Sequence, residues 1–138
     1  MEDTNEKRIE EKLVKLDESL ATLDRLVPKT YEEYKKGGVG TKWELERGLQ
    51  LISEIEIDIT VLLYKQLKKG VAGEEKSLLS DMSKELGENV ISAVKARRRL
   101  RNELVHAYTI DNDKEIFAKA SDASDVHKFK DTVQKFLS

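Results

Sequence analysis

Ile9, Leu13, Leu16, Leu20, Leu23 and Val27 follow one another at spacings of four, three, four, three and four residues. That period stacks all six on one face of an α-helix of about six turns, because side chains three and four apart lie over one another. Pro28 ends the helix, having no amide hydrogen and a ring that clashes with the preceding turn. It is the only proline in 138 residues, and β-branched runs are few, so the rest of the chain is also free to be helical.

The same reading extends to the C-terminus. Thr30-Tyr31-Glu32-Glu33 has the form of a capping box and opens a short helix carrying Tyr31 and Tyr34. Gly37-Gly38-Val39-Gly40 reads as a flexible connector; no strand precedes it and no Gly-Lys-Ser/Thr follows, as a phosphate loop would require. Thr41 is placed to cap a second long helix, through about Lys69. On it Leu45, Leu49, Ile52, Ile59 and Leu63 form one stripe, which Leu51, Ile55, Ile57, Val61 and Leu62 widen. A helix apolar on more than one side is either central in its bundle or covered by a partner chain. Asp58 lies in this stretch and needs a partner if it is buried. After Gly70-Val71-Ala72-Gly73, a third helix from about Lys76 carries Leu79, Met82, Leu86, Val90 and Val94, with Gly87 a weak point in it. Thr109 to Asp113 has turn composition. Ile116 and Phe117 belong to a short helical piece, and Val126, Phe129, Val133, Phe136 and Leu137 to a last helix. The expected fold is a single all-α domain over residues 1–138, an antiparallel bundle of four to five helices.

Composition removes several kinds of chemistry. With no cysteine there is no disulfide framework, thiolate zinc site or cysteine nucleophile. Two histidines, His106 and His127, leave little room for an imidazole metal cage, so neither metal nor cofactor is expected. No apolar run approaches the roughly 20 residues needed to span a bilayer. Met1 to Thr4 is acidic and lacks a signal-peptide stretch, and the expected location is cytoplasmic, away from membranes. The formal charge of -2 speaks against a generic nucleic-acid binder. It is unevenly spread, however: Lys95, Arg97, Arg98, Arg99 and Arg101 place +5 within seven residues, leaving -7 on the other 131.

Residues 95–108 are the one dense polar constellation. Such a run is ordinarily a solvated helix face, with His106 at or near the surface. Geometry and residue type also allow chemistry. At 100° per residue Asn102 and His106 share a face, while Arg101 and His106 diverge by about 140°. A site using both therefore needs a helix end or bend between them, or a second copy of the chain in a two-fold dimer. Histidine titrates near neutral pH and can move a proton, and arginine presents a fixed fork of donors to a phosphate. RNA brings its own nucleophile, the 2′-hydroxyl.

Arg101-Asn102-Glu103-Leu104-Val105-His106-Ala107-Tyr108 resembles the Arg-x4-His-x-Tyr motif of HEPN-domain proteins of the HepT type, the ribonuclease toxins of MntA–HepT toxin–antitoxin systems. Trp43-Glu44-Leu45-Glu46-Arg47-Gly48-Leu49-Gln50, followed by Ile57-Asp58-Ile59, is similar to the Glu-Arg-x-Leu-Gln … Asp-Ile pattern of that family's second helix. The order of helices and the length also agree. The resemblance implies a homodimeric, metal-independent endoribonuclease cutting tRNA or mRNA. It implies His106 as general acid/base, Arg101 on the scissile phosphate, and Asn102 in support. Tyr108 would be the tyrosine that an MntA-like nucleotidyltransferase antitoxin modifies with AMP. Arg97, Arg98 and Arg99 lie outside the family motif and are guessed to contact RNA or antitoxin. The alternative is a non-catalytic subunit that binds substrate or nucleotide for a nucleotidyltransferase.

Other candidates are weaker. His127, beside Asp125, Lys128 and Lys130, reads as an exposed residue, and Asp122 and Asp125 as helix-start charges. Tyr31 and Tyr34 with Lys35 and Lys36 read as packing plus solubilising charge, with nucleic-acid contact the other reading. Trp43 reads as a core or interface anchor.

Overall fold

The computed structural model describes residues 4–67, 70, 73–106 and 113–137, the side chains of Thr4, Val105 and His106 excepted. Eight helices make up these residues: α1 (Thr4–Leu26), α2 (Tyr31–Lys36), α3 (Gly38–Gln66), α4 (Glu75–Asp81), α5 (Ser83–Leu86), α6 (Glu88–His106), α7 (Asp113–Ser121) and α8 (Ser124–Leu137). The fold is the expected all-α bundle. Its frame is α1, α3, α6 and α8, and the short helices close its ends.

The opening stripe is the floor of the core. Ile9, Leu13, Leu16, Leu20 and Leu23 are all buried, and Val27 packs at the edge. They lie antiparallel along α3, with Lys12 meeting Asp58 at one end and Gly48 lying under Leu23 at the other. α3 is the central helix, touching α1, α2, α4, α6 and α7. This accounts for its broad apolar surface: Leu45, Leu49, Ile52, Ile57, Ile59 and Leu63 are buried, while Ile55, Val61 and Leu62 are partly so. From α6 the core receives Ile91, Val94 and Leu100, and from α8 Val126, Phe129 and Val133.

Four local expectations need correction. The Gly37–Gly40 stretch is no connector, because α3 begins at Gly38; that residue turns the corner alone with φ 72°, a conformation glycine adopts without a Cβ penalty. Thr41 consequently lies inside α3 and its hydroxyl donates back to the Gly37 carbonyl at 3.3 Å, where a cap had been expected. The second helix stops at Gln66, short of Lys69. The third is divided into α4, α5 and α6, and Gly87, with φ 95°, is a true boundary. By contrast Thr30 caps α2 as its spacing predicts, accepting the Glu33 amide at 3.1 Å.

Asp58 turns out exposed and salt-bridged to Lys12 at 3.1 Å. The buried acid is Glu56, two residues earlier and fully inaccessible. Tyr31, Tyr34 and Phe117 form an aromatic cluster joining α2 to α7, so this tyrosine pair is packing. Trp43 is 66% exposed and is not a core residue. No helix among the described residues is long and apolar enough to cross a membrane.

Candidate functional site

The basic run lies on the C-terminal half of α6, and helical periodicity sends its arginines in different directions. Arg97 points into the core. Its guanidinium takes Glu56 of α3 as a fork, Nε to Oε1 at 2.7 Å and Nη2 to Oε2 at 3.0 Å, and its Nη1 reaches Asp125 of α8 at 3.3 Å. Arg97 is 2% exposed, which corrects the guess that it meets RNA or a partner; it ties three helices together. Burial pushes the Glu56 carboxyl above its ordinary range against the opposing pull of Arg97. Burial also works against the Arg97 charge, but Glu56 and then Asp125 outweigh it and hold that charge more firmly.

Arg99 lies on the exposed side, bonded to Glu103 one turn on and to Glu115 of α7. Arg98 and Arg101 face α4. Arg98 Nε and Arg101 Nη2 each donate to the same atom, Glu75 Oε1, at 2.9 Å. One turn earlier Lys95 donates to the Ser80 hydroxyl at 2.7 Å, so α4 and α6 run antiparallel here. Partial burial works against the ionised Glu75, but hydrogen bonds from Arg98 and Arg101 prevail and hold its carboxyl below the usual range.

Arg101, the motif arginine, is more enclosed than Arg98 beside it, its side chain 14% exposed against 27%. Asn102 gives it further support: Oδ1 accepts from Nε at 3.3 Å and from Nη2 at 3.1 Å. The guanidinium is thus oriented on two sides, by an amide on its own helix and a carboxylate from α4. His106 is the last residue of α6, so Arg101 and His106 lie on one continuous helix and the helix end follows them. The His106 side chain, and Tyr108, lie outside the described residues.

The structure resumes at Asp113, the first residue of α7, which is firmly held. The Tyr34 hydroxyl donates to Oδ1 at 3.1 Å, with Lys42 at 3.3 Å and Lys35 at 3.5 Å. Partial burial disfavours its charge, but these donors win and hold the Asp113 carboxyl below its ordinary range. Burial and then Asp113 itself push the Tyr34 phenol well upward. The short segment that carries Tyr108 is therefore bounded by the end of α6 and by this anchor.

His127 is exposed, as expected. Asp122 accepts the Ser124 amide at 3.0 Å at the start of α8, the role expected of a helix-start acid; Asp125 faces Arg97 instead. A groove of about 440 Å³ between α1 and α3, lined by Arg8, Lys12, Asp58 and Val61, shares no residue with the motif.

An all-helical domain with its motif arginine enclosed at the C-terminal end of a long helix is of the HEPN type. The model of the HepT-like family, described as ribonuclease HepT-like, matches residues 16–136, and the chain belongs to that family. No curated protein matches it. The matched span contains α2 to α7 entire and the whole of residues 101–108.

Proposed function

We propose that this chain is the toxin of a two-gene toxin–antitoxin system, an endoribonuclease that cleaves RNA through Arg101 and His106 without a metal ion. The observation that carries this reading is the Arg-x4-His-x-Tyr sequence inside the family match, with its arginine already enclosed and oriented by Asn102. In the reaction His106 takes the proton of a ribose 2′-hydroxyl, whose oxygen bonds to the adjacent phosphorus. The bond from phosphorus to the 5′-oxygen breaks, and that oxygen receives a proton, leaving a 2′,3′-cyclic phosphate and a free 5′-hydroxyl. Arg101 contributes a fixed, permanently charged fork to the phosphate as negative charge builds on it. Two copies in a homodimer bring two such motifs to one cleft, which resolves the divergence of Arg101 and His106 along a helix.

Regulation follows from the same segment. A nucleotidyltransferase antitoxin of the MntA kind that transfers AMP to the Tyr108 hydroxyl, releasing pyrophosphate from ATP, adds a phosphodiester charge beside the site and repels the RNA backbone.

The test is cleavage of tRNA and mRNA by purified protein with chelator present. Wild type is expected to cut and to leave cyclic-phosphate ends, and R101A and H106A to lose at least 100-fold in rate, the typical contribution of a positioned acid/base. Intact RNA, or an H106A variant that cuts equally well, overturns the reading. Nucleotidyl transfer that depends on this chain, with no RNA cleavage, would identify a binding subunit instead.

A further inference from the structure

The arginines of α6 are not balanced alike. Arg97 has two carboxylates, Glu56 and Asp125, and Arg99 has two, Glu103 and Glu115. Arg98 and Arg101 share one, Glu75. Among the arginines of the run the uncompensated positive charge is therefore concentrated where the motif arginine sits, and Lys95 on the same face meets a neutral hydroxyl, that of Ser80.

The bond types differ in the same direction. Glu56 meets Arg97 as a buried fork, with both oxygens used and both side chains out of water. Glu75 offers a single oxygen to both cations, its side chain 40% exposed, and neither arginine bonds its Oε2. A guanidinium prefers to bind an anion through two parallel hydrogen bonds, and neither Arg98 nor Arg101 achieves this with Glu75. An exposed single-oxygen contact is also the weaker kind of ion pair, open to competition from another anion.

We propose that Arg98 and Arg101 form one phosphate-binding site in which Glu75 is the resident anion, displaced when an RNA backbone phosphate docks. The inference rests on the ribonuclease reading above and adds two residues to it: Arg98 as a second phosphate ligand and Glu75 as a built-in competitor. Glu75 Oε1 marks where a non-bridging phosphate oxygen sits, within hydrogen-bond reach of both cations at once. A phosphate carries a second such oxygen and completes the fork that Glu75 leaves unmade. Between substrates the carboxylate keeps two neighbouring guanidiniums from repelling each other and holds Arg101 in its working orientation.

The experiment titrates full-length protein with a 2′-O-methyl oligoribonucleotide, which cannot be cut because its 2′-oxygen carries no proton. E75Q keeps the side chain's size and one acceptor oxygen, turns the other oxygen into an NH2 donor and removes the charge. It is expected to bind about three- to tenfold more tightly at moderate salt, with a dependence of log Kd on log salt steeper by up to about 0.7, the share of one extra single-strand phosphate contact. E75Q/R98A is expected to lose that gain. E75S, too short to reach either arginine, removes the anion altogether and is expected to gain at least as much should E75Q fail to fold. Equal or weaker binding by a folded Glu75 variant, or a gain that persists without Arg98, overturns the proposal. Because no cleavage is involved, this result is distinct from the outcome of the R101A and H106A assays: wild type that cuts RNA with no gain in E75Q refutes the displaced anion alone.

Discussion

The Glu56–Arg97 pair sets up a sharp test of what holds α3, α6 and α8 together. R97M keeps most of the arginine's apolar stem and removes its charge. Glu56 is fully buried, so once its partner is gone it cannot remain ionised cheaply. The least costly response is to take up a proton. From its ordinary value of 4.5 to pH 7 is about 2.5 pH units, at about 1.4 kcal/mol each, which sets an upper limit of about 3.4 kcal/mol on the loss. That lies within the range of about 3–5 kcal/mol typical when one member of a buried ion pair is removed. Asp125 adds little, since its side chain is 39% exposed and water takes over. The sign in pH follows from Glu56 having a raised folded value in the variant. Its native form then holds a proton that the unfolded chain gives up, so stability is greatest below about 4.5 and falls as pH rises. Urea titrations followed by circular dichroism at pH 5, 6 and 7, at fixed protein concentration, should show the R97M deficit growing with pH, by up to about 1.4 kcal/mol per pH unit. E56L/R97M, with no charge left to strand, should recover most of it. A deficit below 1 kcal/mol at pH 7, or one independent of pH, would refute the reasoning.

Two further perturbations probe the backbone and the Asp113 anchor. G87A places a Cβ at φ 95° and should cost about 2 kcal/mol, whereas G40A, on α3 with open space around it, should be neutral or gain up to about 1 kcal/mol in thermal unfolding. D113N should cost about 1–2 kcal/mol at pH 7 by weakening the bonds from Tyr34, Lys35 and Lys42. Because the Asp113 carboxyl is held low, its contribution is present above its ordinary 3.8 and is lost as pH falls through the lower folded value, so the two stability curves should converge in acid. Parallel curves down to pH 2 would exclude this role.

Most of the frame could be read from apolar spacing, because α1, α3 and α8 bury one continuous stripe each. What escaped was a charge hidden inside such a stripe. In α3 the series Leu45, Leu49, Ile52, Ile59, Leu63 skips one position, and Glu56 fills it at spacings of four and three. Val94 is followed at three by Arg97, so both members of the buried pair occupy core positions of their helices. A polar residue in register with a stripe is a better sign of burial than one simply surrounded by apolar neighbours, as Asp58 is. The glycines misled in both directions. Gly37–Gly40 suggested a connector because composition does not say that one residue at positive φ turns the corner, and Gly87, read as a weak point within one helix, is a full boundary between two. The motif arginine was legible from its spacing to His106 and Tyr108. Glu75 was not, since it lies 26 residues upstream on another helix, and no local pattern links the two. The positive segment proved largely compensated for the same reason, most of its counter-charges coming from α3, α4, α7 and α8 and one, Glu103, from α6 itself.

Trp43, exposed near the start of α3, is the only tryptophan. Its indole is already wet in the folded chain, so denaturation will change its emission little, and intrinsic fluorescence is a poor gauge of this protein's unfolding. The same property makes it a sensitive gauge of association. A blue shift or loss of quenching by iodide would report that another surface has come to rest on that end of α3, with no label added to the chain.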